Sequence, residues 1–497
     1  MSYTESILGM LSSNIDQRND LIITPVPIAK EMVNILPEEV WNKDTTFLDP
    51  ACKSGIFLHE IYLKLMETPA MIQEFPDKAE RRKHILQNQL FGIALNPMCQ
   101  LTSARTVYGT IKGENNIKLI DNYITIVKNK DTRFFKEALE KEFNREMKFD
   151  VVIGNPPYQQ ATQSIYQNFI DLAIELNPHS IVMITKNNWL ESNTLKNTRD
   201  KMIGAGLKKV INYPIFGEVF SDVGVAVSIF SIENEYTGNF EYTEVRNGKI
   251  TDNWCSNIKG YAVILGNHIE NSIYQKIRMS DDLHNNFGDK TLPAEAFRIN
   301  SNGNVGRGIN TYSIDDVDNK SDIHNIAIAY MSRSRALYYR YAKLQDIPAR
   351  QEVVGEYKII CGEKISKNGN ILTSLHVLEP MSVCSGSYVC IWHDNSREKT
   401  INAAKYIKSR FLRMLVYMLC SDGMNGISSY RFSLIPLQNF ASTFKVDLGR
   451  LENDETYEIT DIDWSQSIAD IDKQLYKKYN LTQEEINYIE KTIKPMQ

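Results

Sequence analysis

The sequence of 497 residues contains no long apolar run and none of the patterns that mark membrane or secreted proteins. No stretch approaches the ~18 consecutive apolar residues that a transmembrane helix needs, so we expect no membrane partner. The first 20 residues lack a basic segment followed by an apolar one, which argues against a secretory signal. Together these absences predict a cytoplasmic protein.

Cysteine is scarce and irregularly spaced. The seven cysteines, an odd number, include no Cys-x-x-Cys pair and have no histidine at the spacing of a metal site. Cys384 and Cys390 are close enough in sequence to form a bridge, but free thiols are the better prediction for a cytosolic chain. We therefore expect neither a structural zinc nor another metal site.

Charge is unevenly distributed. The net charge is −5, yet residues 451–497 alone carry 11 acidic and 5 basic side chains, so the rest of the chain is close to neutral. Basic and aromatic residues concentrate in two segments, 331–350 and 405–419. Either segment suits a surface that contacts nucleic-acid phosphates, and either also suits an ordinary solvated helix face. The basic residues selected as candidate DNA contacts are Arg333, Arg335, Arg340, Lys343, Lys408 and Arg410.

Residues 1–235 alternate between strand-like and helix-like segments. Helical patterns of 10–15 residues separate the apolar strands, which predicts a mostly parallel α/β sheet with helices on both faces. Within this half, residues 123–143 are predicted to form an alternating strand followed by a helix.

After residue 235 this regular alternation stops. Polar stretches rich in Gly and Asn separate short elements, which predicts a second, mixed α+β domain over residues 236–450. Residues 451–497 form an acidic, helical C-terminal segment. Its last helix begins at Thr482, with Glu485 three residues later as a capping box.

The segment "FLDPACKSGIF" (47–57) predicts a ligand site. Asp49 ends a strand, small residues such as Ala51 and Gly55 allow close approach of a ligand, and a helix N-terminus follows. In an open α/β sheet, ligands bind where strands end. Turns of this composition also occur without any ligand.

The segment "FDVVIGNPPYQQ" (149–160) is more specific. A buried strand ends at Asn155, and Pro156 and Pro157 fix the backbone around its side chain. The Asn155 side-chain oxygen and the Pro156 carbonyl can together accept two hydrogen bonds from an –NH2 group. Such an amine is drawn towards tetrahedral geometry and can attack an electrophilic methyl group. Tyr158 offers a flat face on which a base can stack.

These motifs, in this order, resemble the gamma-class amino-methyltransferases of DNA, specifically the N6-adenine methylases of restriction–modification systems. The resemblance rests on "ITPVPIAKEMV", "DPACKSGIF" and "GNPPY", and it covers residues 20–232. It implies a Rossmann-like sheet that binds S-adenosylmethionine, followed by a target-recognition domain that binds double-stranded DNA.

The resemblance also implies residue roles. Asn155, Pro156, Pro157 and Tyr158 match the catalytic motif, and Phe220 in "GEVF" matches an aromatic residue that stacks on the other face of the extruded adenine. The cofactor residues that it implies are Thr24, Pro25, Asp49, Pro50, Ala51, Lys53, Gly55, Asn155 and an acid for the cofactor's adenine, taken as Asp131 with Asp121 as the weaker candidate.

Two positions depart from the family pattern. Lys53 stands where the pattern has glycine, and Ala94 stands where it has the acid that binds the ribose. Lys53 either obstructs the cofactor or offers a cation to its methionine carboxylate. Loss of a charge-assisted hydrogen bond at Ala94 is worth about 1.5–3 kcal/mol. We therefore expect weakened or altered cofactor binding rather than loss of activity.

Three alternatives stay open at this point. The same motif serves methylation of cytosine N4, and of RNA or a protein glutamine in shorter enzymes. A degenerate methyltransferase fold could also act as a DNA-binding specificity subunit, which Lys53 and Ala94 would explain. Too few residues precede the Thr-Pro helix for an N-terminal nuclease, so a separate restriction endonuclease is the expected partner.

Overall fold

The computed structural model describes residues 22–496 with several gaps. The residues outside the description within this range are 112, 131, 144–147, 161–162, 222–223, 262, 279–284, 301–311, 313, 333, 366–370, 420–424, 428–431 and 442–460. The chain divides into two compact units, Met1–His268 and Ile269–Gln497.

A nine-stranded sheet is the framework of the first unit. Its strands are β1 (Phe47–Cys52), β2 (Leu90–Ala94), β3 (Ile117–Lys118), β4 (Val151–Gly154), β7 (Ser180–Lys186), β8 (Leu207–Tyr213), β9 (Val227–Glu233), β10 (Phe240–Arg246) and β11 (Lys249–Ser256). The short strands β5 (Gln159–Gln160) and β6 (Gln163–Ser164) pair only with each other. Across the large sheet the order is β11-β10-β8-β9-β7-β4-β1-β2-β3.

Most of this sheet is parallel. β9 runs antiparallel to both of its neighbours, β7 and β8, so those two strands run in the same direction as β1, β2 and β4. Every residue of β1, β2 and β4 is buried, as expected for strands covered on both faces. The carboxyl ends of β1, β2, β4, β7 and β8 therefore meet at one edge.

The helices of the first unit lie between these strands. They are α1 (Val26–Ile35), α2 (Ile56–Glu67), α3 (Pro69–Glu74), α4 (Lys78–His84), α5 (Pro97–Tyr108), α6 (Tyr123–Asn129), α7 (Thr132–Phe143), α8 (Tyr166–Glu175) and α9 (Lys196–Gly204). From β1 the chain adds strands on one side, and from β4 it adds them on the other. Right-handed crossovers in opposite directions place helices on opposite faces, which confirms the predicted fold class.

One element of the first unit is predicted with the wrong type. Residues 123–129 form helix α6 rather than a strand, because Tyr123 and Val127 are buried at the four-residue spacing of one helix face. The first compact unit also extends beyond residue 235. Strands β10 and β11 belong to the large sheet, with β10 pairing in parallel with β8, so the first unit continues to His268.

The second unit combines small sheets with helices. Its strands are β12 (Ile326–Met331), β13 (Leu337–Ala342), β14 (Tyr357–Gly362), β15 (Lys364–Ile365), β16 (His376–Leu378), β17 (Ser382–Cys384), β18 (Tyr388–Asp394) and β19 (Asn425–Gly426). Its helices are α10 (His268–Arg278), α11 (Arg397–Lys408), α12 (Arg410–Met418), α13 (Ile468–Lys478) and α14 (Gln483–Thr492). The two main sheets have the orders β13-β12-β17 and β16-β14-β18.

Two smaller expectations for the second unit, the capping box and the free thiols, agree with the structure. Thr482 and Glu485 form the capping box at the start of α14. Cys384 and Cys390 are buried, free thiols. Within the part of the chain that the structure describes, none of the helices combines the length and apolar character needed to cross a membrane.

Candidate active site

The strand order reverses between β1 and β4. Connections that leave these two strands run to opposite sides of the sheet, which opens a crevice at their carboxyl ends. The two conspicuous sequence motifs end these same two strands. Asp49 lies within β1, whose last residue Cys52 leads through a short loop to Gly55, and Asn155 to Tyr158 follows β4, so the topology places both motifs at the crevice.

The two motifs lie in direct proximity because residue 154 is glycine. A Cβ atom at Gly154 would lie 3.0 Å from Asp49 Oδ1 and 3.3 Å from the Cδ atom of Pro50. A larger residue would therefore push β4 away from β1 at the point where the strand ends and the Asn155 turn begins.

Asp49 is a buried carboxyl. Its Oδ1 atom accepts a hydrogen bond from the backbone N–H of Ala51 at 3.0 Å. Burial raises the pKa of Asp49 to about 7, while the Ala51 hydrogen bond and the charge of Lys53 lower it by smaller amounts. A carboxyl balanced in this way responds strongly to a cation that binds beside it.

Gly55 forms the corner between this loop and helix α2. It has a φ of 76°, and an added Cβ would lie 3.0 Å from the Cα and carbonyl oxygen of Ser103. Only glycine fits this left-handed corner without strain. The helix N-terminus that follows can therefore receive a polar or negatively charged ligand group.

Asn155 is held by the segment that precedes α1. Its side-chain nitrogen donates hydrogen bonds to the backbone carbonyl of Ile22 at 3.3 Å and to Thr24 Oγ1 at 3.1 Å. Pro25 follows Thr24 directly and is the N-cap residue of α1. The structure thus brings the Thr24–Pro25 segment together with Asn155, which lies 131 residues after Thr24 in the sequence.

The side-chain oxygen of Asn155 differs from its side-chain nitrogen in its hydrogen bonding. Asn155 is only 2% exposed, and its Oδ1 atom has no hydrogen-bond partner among the described residues. Buried polar atoms are nearly always hydrogen-bonded, because an unpaired one costs about 1–3 kcal/mol. A buried acceptor with a fixed direction and no partner is a site for an incoming donor.

Aromatic rings lie beside Asn155. The ring of Tyr158 packs edge-to-face against Phe220, with centroids 6.4 Å apart and planes at 69°, and also against Tyr166. Phe220 lies in the loop after β8, whose carboxyl end is at the same edge of the sheet. The expected pair of aromatic residues is therefore assembled, but the two rings are not parallel.

Lys53 and Ala94 differ in their surroundings. Lys53 is buried, and its ammonium donates a hydrogen bond to the carbonyl of Ile22 at 3.0 Å. Ala94 is the buried last residue of β2 and pairs with Cys52 of β1. The nearby Asn96 uses its side-chain oxygen to cap α5, where it accepts from Cys99 N at 2.8 Å.

The acid predicted for the cofactor's adenine is not located. Asp131 lies outside the described residues, and the strand expected before it is helix α6. Asp121, the weaker candidate, is exposed in the turn that follows β3 at the edge of the sheet.

Sequence reasoning missed Tyr123. This buried residue donates a hydrogen bond from its hydroxyl to the carbonyl of Pro50 at 2.6 Å, and so supports the Asp49 loop. Burial raises the pKa of its hydroxyl well above the usual range, with a smaller contribution from Asp49. No motif marks Tyr123, because its role depends only on the fold.

The candidate DNA contacts differ in exposure and in whether they form ion pairs with other described residues. Arg335 is exposed in the turn between β12 and β13, and Lys343 and Lys408 are half-buried. Arg340 instead pairs with Asp316 at 2.7 Å and Asp318 at 2.9 Å, and Arg410 pairs with Glu490 at 3.4 Å. Arg333 lies outside the described residues. DNA contact by these six residues stays a prediction.

Comparisons with known proteins agree with this arrangement. Residues 88–220 match the family model of the Eco57I restriction-modification methylases, a range that begins just before β2 and ends at Phe220. The chain is also 29% identical to an uncharacterised adenine-specific methylase of Mycoplasma pneumoniae, over 37% of this chain and 59% of that protein.

Solved structures resemble the fold. A nuclease-deletion mutant of the Type ISP restriction-modification enzyme LlaGI, in complex with a DNA substrate mimic, matches with a TM-score of 0.50 at 13% identity. This match covers 84% of this chain and 54% of that chain. The DrdV–DNA complex matches with a TM-score of 0.48 at 11% identity, over 84% of this chain and 56% of that chain.

The chain thus spans between half and three fifths of the length of these proteins. Its similarity to the Eco57I restriction-modification methylase family includes the strand and loop that carry Asn155 and Tyr158.

Proposed function

We propose that this protein is a site-specific DNA methyltransferase that transfers a methyl group from S-adenosylmethionine to the N6 amine of an adenine in duplex DNA, within a restriction–modification system. The observation that carries the proposal is the buried Asn155 Oδ1 atom, whose direction is fixed and which has no partner among the described residues. The family match over residues 88–220 supports a restriction–modification methylase, and the 29% identity to an adenine-specific methylase supports adenine as the target base.

The residues at the crevice fit the cofactor. A buried carboxyl at Asp49, the left-handed corner at Gly55 and the N-terminus of α2 offer complementary partners for an amino acid moiety. Thr24, Pro25, Pro50 and Ala51 would complete this side of the site, and Asp131 would take the adenine amine, with Asp121 as the weaker candidate. When bound, S-adenosylmethionine supplies an electrophilic methyl group.

Asn155 would act on the target amine without removing a proton first. Its Oδ1 atom accepts one N–H of the amine, and the Pro156 carbonyl accepts the other. These two hydrogen bonds turn the nitrogen lone pair out of the plane of the base, where it can attack. The amide nitrogen of Asn155 can only donate, and its hydrogen bonds to Ile22 and Thr24 keep the oxygen as the atom that faces the site.

The target adenine must leave the DNA stack to reach Asn155, which costs a few kcal/mol. An adenine sandwiched between two rings needs them parallel and about 7 Å apart, twice the ~3.4 Å spacing of stacked bases. The rings of Tyr158 and Phe220 now pack edge-to-face with centroids 6.4 Å apart, so Phe220 has to turn when the base enters.

We propose that the second unit recognises the DNA sequence and that a separate endonuclease acts as a partner.

A second candidate function is a specificity subunit that binds DNA without catalysis. Lys53 and Ala94, which replace the glycine and the acid of the family pattern, are the observations that favour it.

Methyl-transfer and DNA-binding assays with purified protein distinguish the two candidate functions. We expect the wild-type protein to transfer labelled methyl groups from S-adenosylmethionine to unmethylated genomic DNA. The Asn155→Ala variant should bind the same DNA with unchanged affinity and transfer nothing above background. Unimpaired transfer by Asn155→Ala would contradict the proposed role, and DNA binding without transfer by the wild type would establish the specificity subunit.

A further inference from the structure

Lys53 has a position that its residue type rarely occupies. Lysine is almost never fully buried unless its charge is paired or hydrogen-bonded, yet Lys53 is only 7% exposed. It follows Cys52, the last residue of β1, in the loop that we assign to the cofactor. Its ammonium reaches back to the segment before α1, where it donates to the Ile22 carbonyl at 3.0 Å.

The same carbonyl also holds the catalytic amide. Asn155 Nδ2 donates to Ile22 at 3.3 Å and to Thr24 Oγ1 at 3.1 Å, so both amide hydrogens have acceptors in one short segment. Rotation of the amide by half a turn would break both hydrogen bonds and bury the donor group where the oxygen now points. The position of the Ile22 carbonyl therefore decides where Asn155 Oδ1 points.

We propose that Lys53 is a positioning residue: by holding the Ile22 carbonyl, it fixes the amide of Asn155 in the orientation needed for methyl transfer. This inference rests on the proposed methyltransferase function. It assigns a use to the departure from the family glycine, since the lysine connects the cofactor loop to the Asn-Pro-Pro-Tyr turn through a backbone carbonyl.

Two other roles for Lys53 predict different kinetics. A lysine that binds the cofactor carboxylate directly would, when removed, raise the KM for S-adenosylmethionine. Removal of a lysine that only stabilises the fold would lower the unfolding midpoint. Removal of a positioning lysine lowers kcat, because the transition state depends on the direction of Asn155 Oδ1 whereas cofactor binding does not.

Steady-state methylation of unmethylated genomic DNA by the full chain tests the inference. Lys53→Met removes the ammonium and keeps most of the aliphatic volume, and Lys78→Met is the matched control because Lys78 is exposed at the start of α4. We expect Lys53→Met to lower kcat about 10- to 100-fold, the size of loss that a displaced reacting group produces, with less than about a threefold change in the cofactor KM. Lys78→Met should match the wild type.

A combination with Thr24→Val provides a readout that a purely structural lysine would not affect. Both substitutions release the same amide, so the double variant should lose little more kcat than the worse single variant. Lys53→Arg retains a charged donor and should recover at least about a third of the wild-type kcat, which also tests the inference if the methionine variant folds poorly.

Several results would overturn this role. They are a rise in cofactor KM with unchanged kcat, a loss of stability with unchanged kcat, a fully additive double variant, or an arginine variant as slow as the methionine variant. An inactive Asn155→Ala with an unaffected Lys53→Met refutes only the Lys53 role. An active Asn155→Ala refutes the proposed function itself.

Discussion

At the scale of single residues, the site combines polar atoms that are satisfied with polar atoms that are not. Asn155 has a fully bonded amide nitrogen and an unpartnered oxygen, and Tyr158 has a buried hydroxyl without a partner among the described residues. In the proposed reaction, the unpartnered oxygen of Asn155 accepts from the target amine. For Tyr158 the proposal uses the ring, on whose face the base would stack, and needs nothing from the hydroxyl.

This distinction predicts the behaviour of two Tyr158 variants. Tyr158→Phe keeps the ring and removes a buried hydroxyl that has no described partner, so methylation should stay within about threefold of wild type. Its stability should be equal or up to about 1 kcal/mol higher. Tyr158→Ala should lose most activity, since it removes the stacking surface. Methyl transfer and thermal unfolding measure both effects, and a large loss in Tyr158→Phe would assign the hydroxyl a role.

Asp49 makes stability depend on pH. Burial raises the pKa of this carboxyl from 3.8 to about 7, so the folded state holds its proton more tightly than the unfolded state. The resulting stabilisation is complete below about pH 4 and is lost as the pH rises to about 7. Between pH 5 and pH 8 the loss from this group is of the order of 2–3 kcal/mol.

Asp49→Asn should remove this dependence. Urea unfolding at pH 5 and pH 8 should show a smaller difference for Asp49→Asn than for the wild type, whereas Asp44→Asn, which changes an exposed carboxyl, should retain the wild-type difference. Equal pH dependence in all three proteins would show that Asp49 titrates near its ordinary value.

At the scale of elements, the junction between β1 and α2 depends on Gly55. An alanine there would adopt a φ near 76° and place its Cβ 3.0 Å from the Ser103 backbone. We expect Gly55→Ala to lower the free energy of unfolding by about 2–4 kcal/mol, from backbone strain and overpacking together, and to weaken cofactor binding.

Gly109 is the matched control for Gly55. It has the same φ of 76°, but the nearest atom to an added Cβ is Arg82 Nη2 at 3.9 Å. Gly109→Ala should therefore show the strain alone, about 1–2 kcal/mol, with cofactor binding intact. Unfolding and calorimetric titration with S-adenosylmethionine compare the two, and identical losses would show that contact with Ser103 is unimportant.

The same elements show what the sequence could predict. Strands β2 and β4 are short, mostly apolar runs, so their type follows from local chemistry, and β4 ends at Gly154 as expected. The expected end of β1 at Asp49 is wrong, because the strand continues through Asp49 and Pro50 to Cys52. Asn96 and Thr482 begin helices because their side chains cap them. The proposed catalytic residues follow from the rigid Pro-Pro corner after β4.

Other features depend on tertiary packing that the sequence does not encode locally. Tyr123, Ile124, Ile126 and Val127 fit both an alternating strand and a helix face, and the fold selects the helix. Strands β10 and β11 lie in a polar region without the regular alternation, yet they extend the large sheet past β8. The contacts of Lys53 and Tyr123 with remote carbonyls depend wholly on the folded chain.

At the scale of the whole molecule, the proposed DNA binding has to arise from local charge, because the net charge of −5 is unfavourable. The structure separates exposed basic residues from those engaged within the protein. Arg335 is exposed in the β12–β13 turn, whereas Arg410 pairs with Glu490. Arg335 can contact a phosphate without breaking an ion pair to any described residue.

We therefore expect different results for the two arginines. Arg335→Gln should weaken DNA binding and reduce the slope of log K against log salt by about 1, without changing the unfolding midpoint. Arg410→Gln should lower the midpoint and leave the salt slope unchanged. Fluorescence anisotropy with labelled duplex DNA over a salt series measures the slopes, and an unchanged slope for Arg335→Gln would remove Arg335 from the DNA surface.

The most direct test of the central claim is the modification state of DNA from cells that express the protein and lack their own adenine methylation. Long-read sequencing should find N6-methyladenine in one defined sequence context with the wild-type protein and none with Asn155→Ala at equal expression. An absence of modified adenine with the wild type, N4-methylcytosine in its place, or unchanged methylation with Asn155→Ala would contradict the account.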